Sequence, residues 1–108
     1  MKRSIPKVAN ARVRVRHAGL VIADTRRAVR LEGTYYIPRD DVRMDRLVPS
    51  TNWTYCPLKG GASYWSLKNG PRDAVWSYEE PRRDMDAIKG HLAFCNVDSI
   101  VATPLKGA

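Results

Sequence analysis

The chain has 108 residues, the usual size of one domain, and 44% of them are hydrophobic. This composition excludes wholesale disorder and fits a soluble globular domain. No apolar run approaches the ~20 residues that a membrane-spanning helix needs, and no apolar block follows the basic N-terminus as in a secretory signal. We therefore predict a cytoplasmic protein without a membrane partner, whose oligomeric state the sequence does not define.

The net charge of +8 is carried entirely by the first quarter of the chain. Residues 1–30 hold nine basic residues and one acid, whereas residues 31–108 hold ten of each. A basic surface of this kind attracts nucleic acid, an acidic protein or an anionic membrane. Small domains often carry such a charge for solubility alone, and the simpler interpretation of a basic tail followed by a solvated strand face is favoured here.

The first predicted element after a basic flexible tail at residues 1–10 is a strand. Arginine and valine alternate from Arg12 to Arg16, which is typical of a half-buried strand with Arg12, Arg14 and Arg16 facing outward. Three more short strands follow at close spacing and favour an antiparallel meander. In all, further strands are predicted at residues 20–23, 28–31, 34–37, 53–56, 62–67, 74–78, 91–95 and 99–102.

Helical signals are few and lie in two places. Residues 39–44 suit a single helical turn, with acids near its N-terminus. Pro81 permits a helix start, Met85, Ile88 and Leu92 fall at helical spacing, and Gly90 suits the C′ glycine that stops the helix. The sequence therefore predicts a mainly antiparallel β domain with one short helix near its C-terminus.

Residues 54–65 hold a thiol, an ammonium group, a Gly-Gly backbone and three aromatic rings. Lys59 follows Cys56 across a proline turn, so its charge could lower the pKa of the thiol and make Cys56 a nucleophile. The favoured alternative is that Cys56 is a small buried hydrophobic residue at a strand end. Lys59 and Gly60 also suit a generic anion site, although their spacing does not match the nucleotide-binding P-loop.

Acidic and aromatic residues offer further candidates. Asp41 beside Asp40 could act as a general base, or the pair could cap a helical turn. Arg39 suits an anion or an ion pair. The aromatic set either packs in the core or lines a groove, and consecutive Tyr64 and Trp65 must face opposite sides of a strand. Its members are Tyr55, Tyr64, Trp65, Trp76 and Tyr78.

The number and spacing of cysteines and histidines do not favour a metal site or a disulfide. The two cysteines are too few for a disulfide scaffold, although one bridge is conceivable. The only zinc-type donor set would be His17, Cys56, His91 and Cys95, which lacks the paired short spacings of structural zinc sites. We expect no bound metal and no cofactor.

With these residues in view, the chain resembles the domain-of-unknown-function family numbered 427, labelled nucleotidyltransferase-like in some catalogues. Three blocks covering residues 35–42, 54–65 and 76–81 carry the likeness. It implies a β-tent fold and no established activity. Leu58 stands where members often have an aromatic residue, and Cys95 where many have tyrosine. We predict a mainly β, antiparallel β-tent or barrel-like single domain over residues 11–102, with a tail at 103–108.

The leading functional hypothesis is a domain that binds a small anionic ligand, such as a phosphate, at the Cys56–Trp65 loop. Lys59, Gly60 and Arg39 would contact the anion. Tyr64, Trp65 and Trp76 would form an apolar wall, and Cys56 or Asp41 would supply any chemistry. The alternatives are a nucleic-acid-binding module that uses Arg12, Arg14 and Arg16, and a protein-interaction or scaffold domain.

Overall fold

A computed structural model describes residues 4–106 as three antiparallel sheets with short connections. The strands are β1 (Lys7–Val8), β2 (Ala11–His17), β3 (Leu20–Thr25), β4 (Val29–Leu31), β5 (Thr34–Tyr36), β6 (Leu47–Cys56), β7 (Gly60–Leu67), β8 (Val75–Ser77), β9 (Leu92–Phe94) and β10 (Ser99–Pro104). Short 3₁₀ segments occur at Arg39–Asp41, Met44–Arg46 and Arg83–Ile88. The mainly β class is thus confirmed.

The sheets have the strand orders β1–β4–β5 (sheet A), β10–β2–β3 (sheet B) and β6–β7–β8–β9 (sheet C). None of them closes on itself within the described residues, so the barrel-like part of the prediction is wrong. The tent arrangement stays a prediction. The expected meander is also divided, because β2 and β3 form a hairpin in sheet B whereas β4 and β5 form one in sheet A.

Sheet C carries a hydrophobic core on each face, because alternate residues of its strands point to opposite sides. One core lies between sheets B and C and includes Val13, Val15, Trp65, Leu67, Val75 and Phe94. The other lies between sheets A and C and includes Leu31, Tyr36, Ala62, Tyr78, Ile88 and Ala93. We call these the B–C core and the A–C core.

The predicted C-terminal helix is instead a 3₁₀ segment at Arg83–Ile88, with a kink at Met85. Only six residues separate Arg82 from Lys89, both of which have extended backbone. Nucleating the first turn of an α-helix is unfavourable, and so short a segment adds too few hydrogen bonds to offset that cost. The hydrophobic pattern was still informative, because Met85 and Ile88 are buried in the A–C core.

Both ends of the sheets extend beyond the predicted domain limits of residues 11 and 102. β1 lies within residues 1–10 and pairs with β4, where Val8 is opposite Val29. β10 continues to Pro104, which is opposite Ala11 of β2. Sheets A and B therefore each gain a strand from a segment near one end of the chain.

Candidate functional site

Lys59 is placed by the tight connection between β6 and β7. Cys56 and Gly60 are the last pair of this ladder, and the Lys59 N–H donates to the Cys56 carbonyl over 3.1 Å. Gly60 has a φ of +117°, and a Cβ there would lie 3.2 Å from the carbonyl oxygen of Glu80. Only glycine fits this conformation and close approach. Gly60 therefore shapes the turn that presents the Lys59 side chain.

The ammonium group of Lys59 forms an ion pair with Glu32 of the β4–β5 hairpin, in which Lys59 Nζ donates to Glu32 Oε1. Glu32 and Gly33 both have positive φ, as a two-residue hairpin turn requires. Ser4 Oγ donates to the other carboxylate oxygen over 3.0 Å. The Lys59 side chain is 15% exposed and that of Glu32 is 42% exposed. A mostly buried cation is thus paired with a half-exposed anion.

The two pKa values shift as expected for such a pair. Hydrogen bonds from Lys59 and then Ser4 lower the pKa of Glu32. Burial acts to lower the pKa of Lys59, but the hydrogen bond and charge of Glu32 outweigh it and the pKa is raised. Both groups therefore stay charged at neutral pH.

Two buried tyrosines lie beside this pair in the A–C core. The rings of Tyr36 and Tyr78 are 6.3 Å apart between centroids, and their side chains are almost fully buried. Burial raises the pKa of each phenol, and for Tyr36 this outweighs an opposing hydrogen bond with the side chain of Trp76. Both hydroxyls therefore keep their protons at neutral pH.

Three of the predicted site residues contact this same region. Cys56, Tyr64 and Trp76 are half-buried and pack against the A–C core. The Tyr64 hydroxyl is also 2.8 Å from Thr54 Oγ1. We call Glu32, Lys59, Tyr36, Tyr78, Cys56, Tyr64 and Trp76 the Lys59 cluster.

Arg39 and Trp65 belong to the opposite face of sheet C. The Arg39 guanidinium carbon lies 5.5 Å from the centroid of the Trp65 ring, and Trp65 is part of the B–C core. Tyr64 and Trp65 thus face opposite sides of β7. Because of this alternation, the structure divides the predicted pocket residues between two surfaces.

Asp41 lies apart from the Lys59 cluster, in a hydrogen-bonded network beside β3. Thr25 Oγ1 donates to Asp41 Oδ2 over 2.6 Å, and Arg27 Nη2 lies 3.3 Å from the same oxygen. The Thr25 hydroxyl in turn accepts the backbone N–H of Arg27 over 3.0 Å. In this arrangement Asp41 holds the connection between sheets B and A.

The three predicted strand arginines share one groove on sheet B. Arg12, Arg14 and Arg16 line a groove of about 240 Å³ together with Val101 and Thr103 of β10. Asp24 of β3 binds two of them: Arg12 Nη2 lies 2.8 Å and Arg14 Nε 3.2 Å from its carboxylate. The hydrogen bond from Arg12 is the largest cause that lowers the pKa of Asp24 to about 2. Part of the basic charge is therefore neutralised within the sheet.

Both cysteines are free and lie on opposite sides of sheet C, since Cys56 packs against the A–C core and Cys95 against the B–C core. Burial raises the pKa of the Cys95 thiol. His17 faces Asp98 and His91 binds the carbonyl of Lys89, and neither contact involves Cys56. Among residues 4–106, no three or more histidine, cysteine or acidic side chains come together as metal ligands do.

Sequence reasoning missed Glu32 and Tyr36 as candidates, and it considered Tyr78 only as a member of the aromatic set. Glu32 was assigned to a turn, and nothing in the local pattern signals its pairing with a lysine 27 positions later. Tyr36 and Tyr78 stood in strands rich in β-forming residues, where packing is the ordinary role of an aromatic ring. Their nearness to Lys59 follows only from the packing of sheet A on sheet C.

A family model described as NTP_transf_9, domain of unknown function (DUF427), matches residues 7–103. The chain belongs to this family. The resemblance drawn from residues 35–42, 54–65 and 76–81 is thereby confirmed. No curated protein sequence matches this DUF427 domain. Within its described residues, no helix has the length and apolar character to cross a membrane.

Proposed function

We propose that this DUF427 domain binds a small anion at Lys59, on the side of sheet C that faces sheet A. One observation carries the proposal: the carboxylate of Glu32 already occupies a position on a lysine whose side chain is only 15% exposed. A carboxylate or phosphate ligand would take the place of Glu32. Because Glu32 is half-exposed and lies on a hairpin turn, it can move into solvent without disturbing the sheet.

The surroundings of Lys59 favour an anion over a cation. Because burial raises the pKa of Tyr36 and Tyr78, their phenols keep their protons at neutral pH and can serve as hydrogen-bond donors. The rings of Tyr64 and Trp76 provide an apolar wall at the same place. A binding site with few polar groups on an apolar surface is typical for small molecules. Phosphate esters are the ligand class that this combination fits best.

Cys56 is the residue in this cluster with the potential for covalent chemistry. It ends β6, three residues before Lys59, and packs on the A–C core. We include a role for Cys56 as nucleophile in the proposal. Asp41 is not included, because its carboxylate is hydrogen-bonded to Thr25 and Arg27, away from the Lys59 cluster. The Arg39 guanidinium lies over the Trp65 ring on the other face of sheet C, so Arg39 is not one of the proposed contacts.

The test is a thermal-shift and calorimetric screen with inorganic phosphate, sugar phosphates and nucleotides. A ligand at about 100 times its dissociation constant stabilises the fold by roughly 2.7 kcal/mol, which raises the melting temperature visibly. We expect Lys59→Met to abolish binding and Glu32→Gln to strengthen it, because the internal competitor is removed. Lys68→Met, at an exposed lysine, is the matched control. Equal affinity in wild type and Lys59→Met would place the site elsewhere.

A second candidate function rests on the groove that Arg12, Arg14 and Arg16 line on sheet B. Three guanidinium groups in one groove suit the phosphates of a nucleic acid strand, although Asp24 competes for two of them. With up to three phosphates neutralised on a single strand, the slope of log affinity against log salt is about −2. Fluorescence anisotropy with short single strands measures this slope, and salt-independent binding would dismiss the candidate. Asp24→Asn is expected to raise the affinity.

A further inference from the structure

An exposed aromatic pair lies near the end of β6, on the opposite face of sheet C from the Lys59 cluster. Trp53 and Tyr55 are each 60% exposed, and their rings are stacked with 6.2 Å between centroids and 28° between planes. They share the face of sheet C that carries Trp65, but they lie beyond the edge of the B–C core. Fully packed domains seldom leave two large rings side by side in water.

The backbone of Gly61 determines the position of the Trp53 indole. A Cβ at Gly61 would lie 2.3 Å from Cζ2 and 2.8 Å from Cε2 of Trp53, far inside contact distance. Any side chain at position 61 would therefore push the indole away. Tyr55 is the cross-strand partner of Gly61, so the indole that lies over Gly61 is also beside the Tyr55 ring. The two rings therefore form one continuous aromatic surface over this part of β7.

A groove of about 450 Å³ runs beside the two rings, lined by Trp53, Tyr55, Gly61, Ser63, Glu79 and Glu80. Glu79 and Glu80 follow β8 and are held next to β7 by the Gly60–Pro81 bridge and by the Arg82 N–H, which donates to the Lys59 carbonyl over 2.8 Å. Both carboxylates are exposed, and neither takes part in an ion pair with another residue of 4–106.

The charge of this groove is opposite to that of the chain. The protein has 19 basic and 11 acidic residues, yet the lining contains two glutamates and no lysine or arginine. A cation attracted by the carboxylates can lie within about 6 Å of the rings, where the electron-rich faces of tryptophan and tyrosine favour it. Methylene groups attached to the cation would cover the apolar surface of the rings.

We propose that this groove, the Trp53–Glu80 groove, binds an alkylammonium ion of the polyamine class. One ammonium group contacts the aromatic pair, and a second is neutralised by Glu79 and Glu80. This ligand class is distinct from the anion assigned to Lys59, so each site can be tested without the other.

The test uses titration calorimetry and the indole N–H signals in nuclear magnetic resonance spectra, with putrescine and spermidine as probes. We expect the Trp53 signal to move and the Trp65 and Trp76 signals to stay. N,N′-diacetylputrescine has the same chain without charge and is expected to bind at least tenfold more weakly. Affinity is expected to fall with salt, because the attraction is between exposed charges.

Four variants separate the contributions. Trp53→Ala and the double variant Glu79→Gln/Glu80→Gln should each weaken spermidine binding at least tenfold, and Gly61→Ala should do so by displacing the indole. Asp45→Asn removes an exposed carboxylate elsewhere and should change nothing. The double glutamine variant leaves the aromatic surface intact, so it is informative even where Trp53→Ala destabilises the fold.

Three results would overturn the proposal. Equal binding by the double glutamine variant would show that the carboxylates are not involved. Equal binding of diacetylputrescine would show that the charge is not recognised. Binding of a neutral sugar such as cellobiose, without binding of the amines, would make the aromatic pair a carbohydrate surface instead.

Discussion

The ion pair between Glu32 and Lys59 leads to a quantitative prediction about stability. Glu32→Gln leaves an ammonium group whose side chain is only 15% exposed without its anion. Hydrogen bonds to charged groups contribute about 1.5–3 kcal/mol. Because Glu32 is itself 42% exposed, solvent screens part of this interaction, and we expect a loss of about 1–2 kcal/mol. In a domain of this size, each kcal/mol lowers the melting temperature by roughly 4 °C.

Substitution of the other partner, Lys59, is expected to destabilise the fold less than Glu32→Gln does. Lys59→Met places an apolar side chain in a mostly buried position, and Glu32 can then return to water. We expect a loss of about 0–1 kcal/mol for Lys59→Met, and for the double variant a loss close to that of Lys59→Met alone. The coupling free energy between the two side chains is therefore the whole cost of Glu32→Gln, about 1–2 kcal/mol.

Urea unfolding followed by tryptophan fluorescence measures all four proteins of this cycle. The slope of free energy against urea should be unchanged, so that midpoints report stability directly. The pKa of Glu32 is lowered in the fold, so the coupling is complete above its unfolded value and is lost as the pH falls through its folded value. A coupling below about 0.5 kcal/mol, or a larger loss in Lys59→Met than in Glu32→Gln, would refute this reasoning.

Three further predictions concern other parts of the fold. Ile88→Ala should destabilise by about 2–5 kcal/mol in urea unfolding, because the side chain is fully buried, whereas Ala87→Ser on the exposed side should stay within about 0.5 kcal/mol. The pKa of Asp24 is lowered from 3.8 to about 2, so its contribution should be lost between these values as acid is added, and Asp24→Asn should remove that part of the acid transition. Gly60→Ala should cost about 1–3 kcal/mol, because alanine is strained at a φ of +117°, and a cost near zero would show that the turn can rearrange.

The local pattern of the sequence was a good guide to strands. The alternation from Arg12 to Arg16 predicted β2, whose valines are buried and whose arginines line a surface groove. The predicted strand at residues 62–67 lies within β7, with its aromatic residues on opposite faces. These predictions hold because the period of two depends only on the backbone and on burial.

Contacts between residues that are far apart in the chain could not be predicted from the sequence. No local signal places β10 beside β2, where Ile100 is opposite Val15, or Glu32 beside Lys59. The predicted site residues were near one another in sequence, but β7 sends Tyr64 and Trp65 to different cores. The proposed site at Lys59 therefore combines residues of sheets A and C, and three of the seven residues of the Lys59 cluster come from the predicted loop.

The pairing of β10 with β2 has a consequence for synthesis of the chain. Residues Ser99–Pro104 are synthesised long after Ala11–His17, so the β2–β3 hairpin lacks its third strand while β6, β7 and β8 of sheet C can already pair. Non-local pairing of this kind slows folding, and the waiting edge of β2 is open to pairing with other chains. A nascent domain that ends before Ser99 would therefore keep an unpaired edge at β2, which could pair with a strand of another chain.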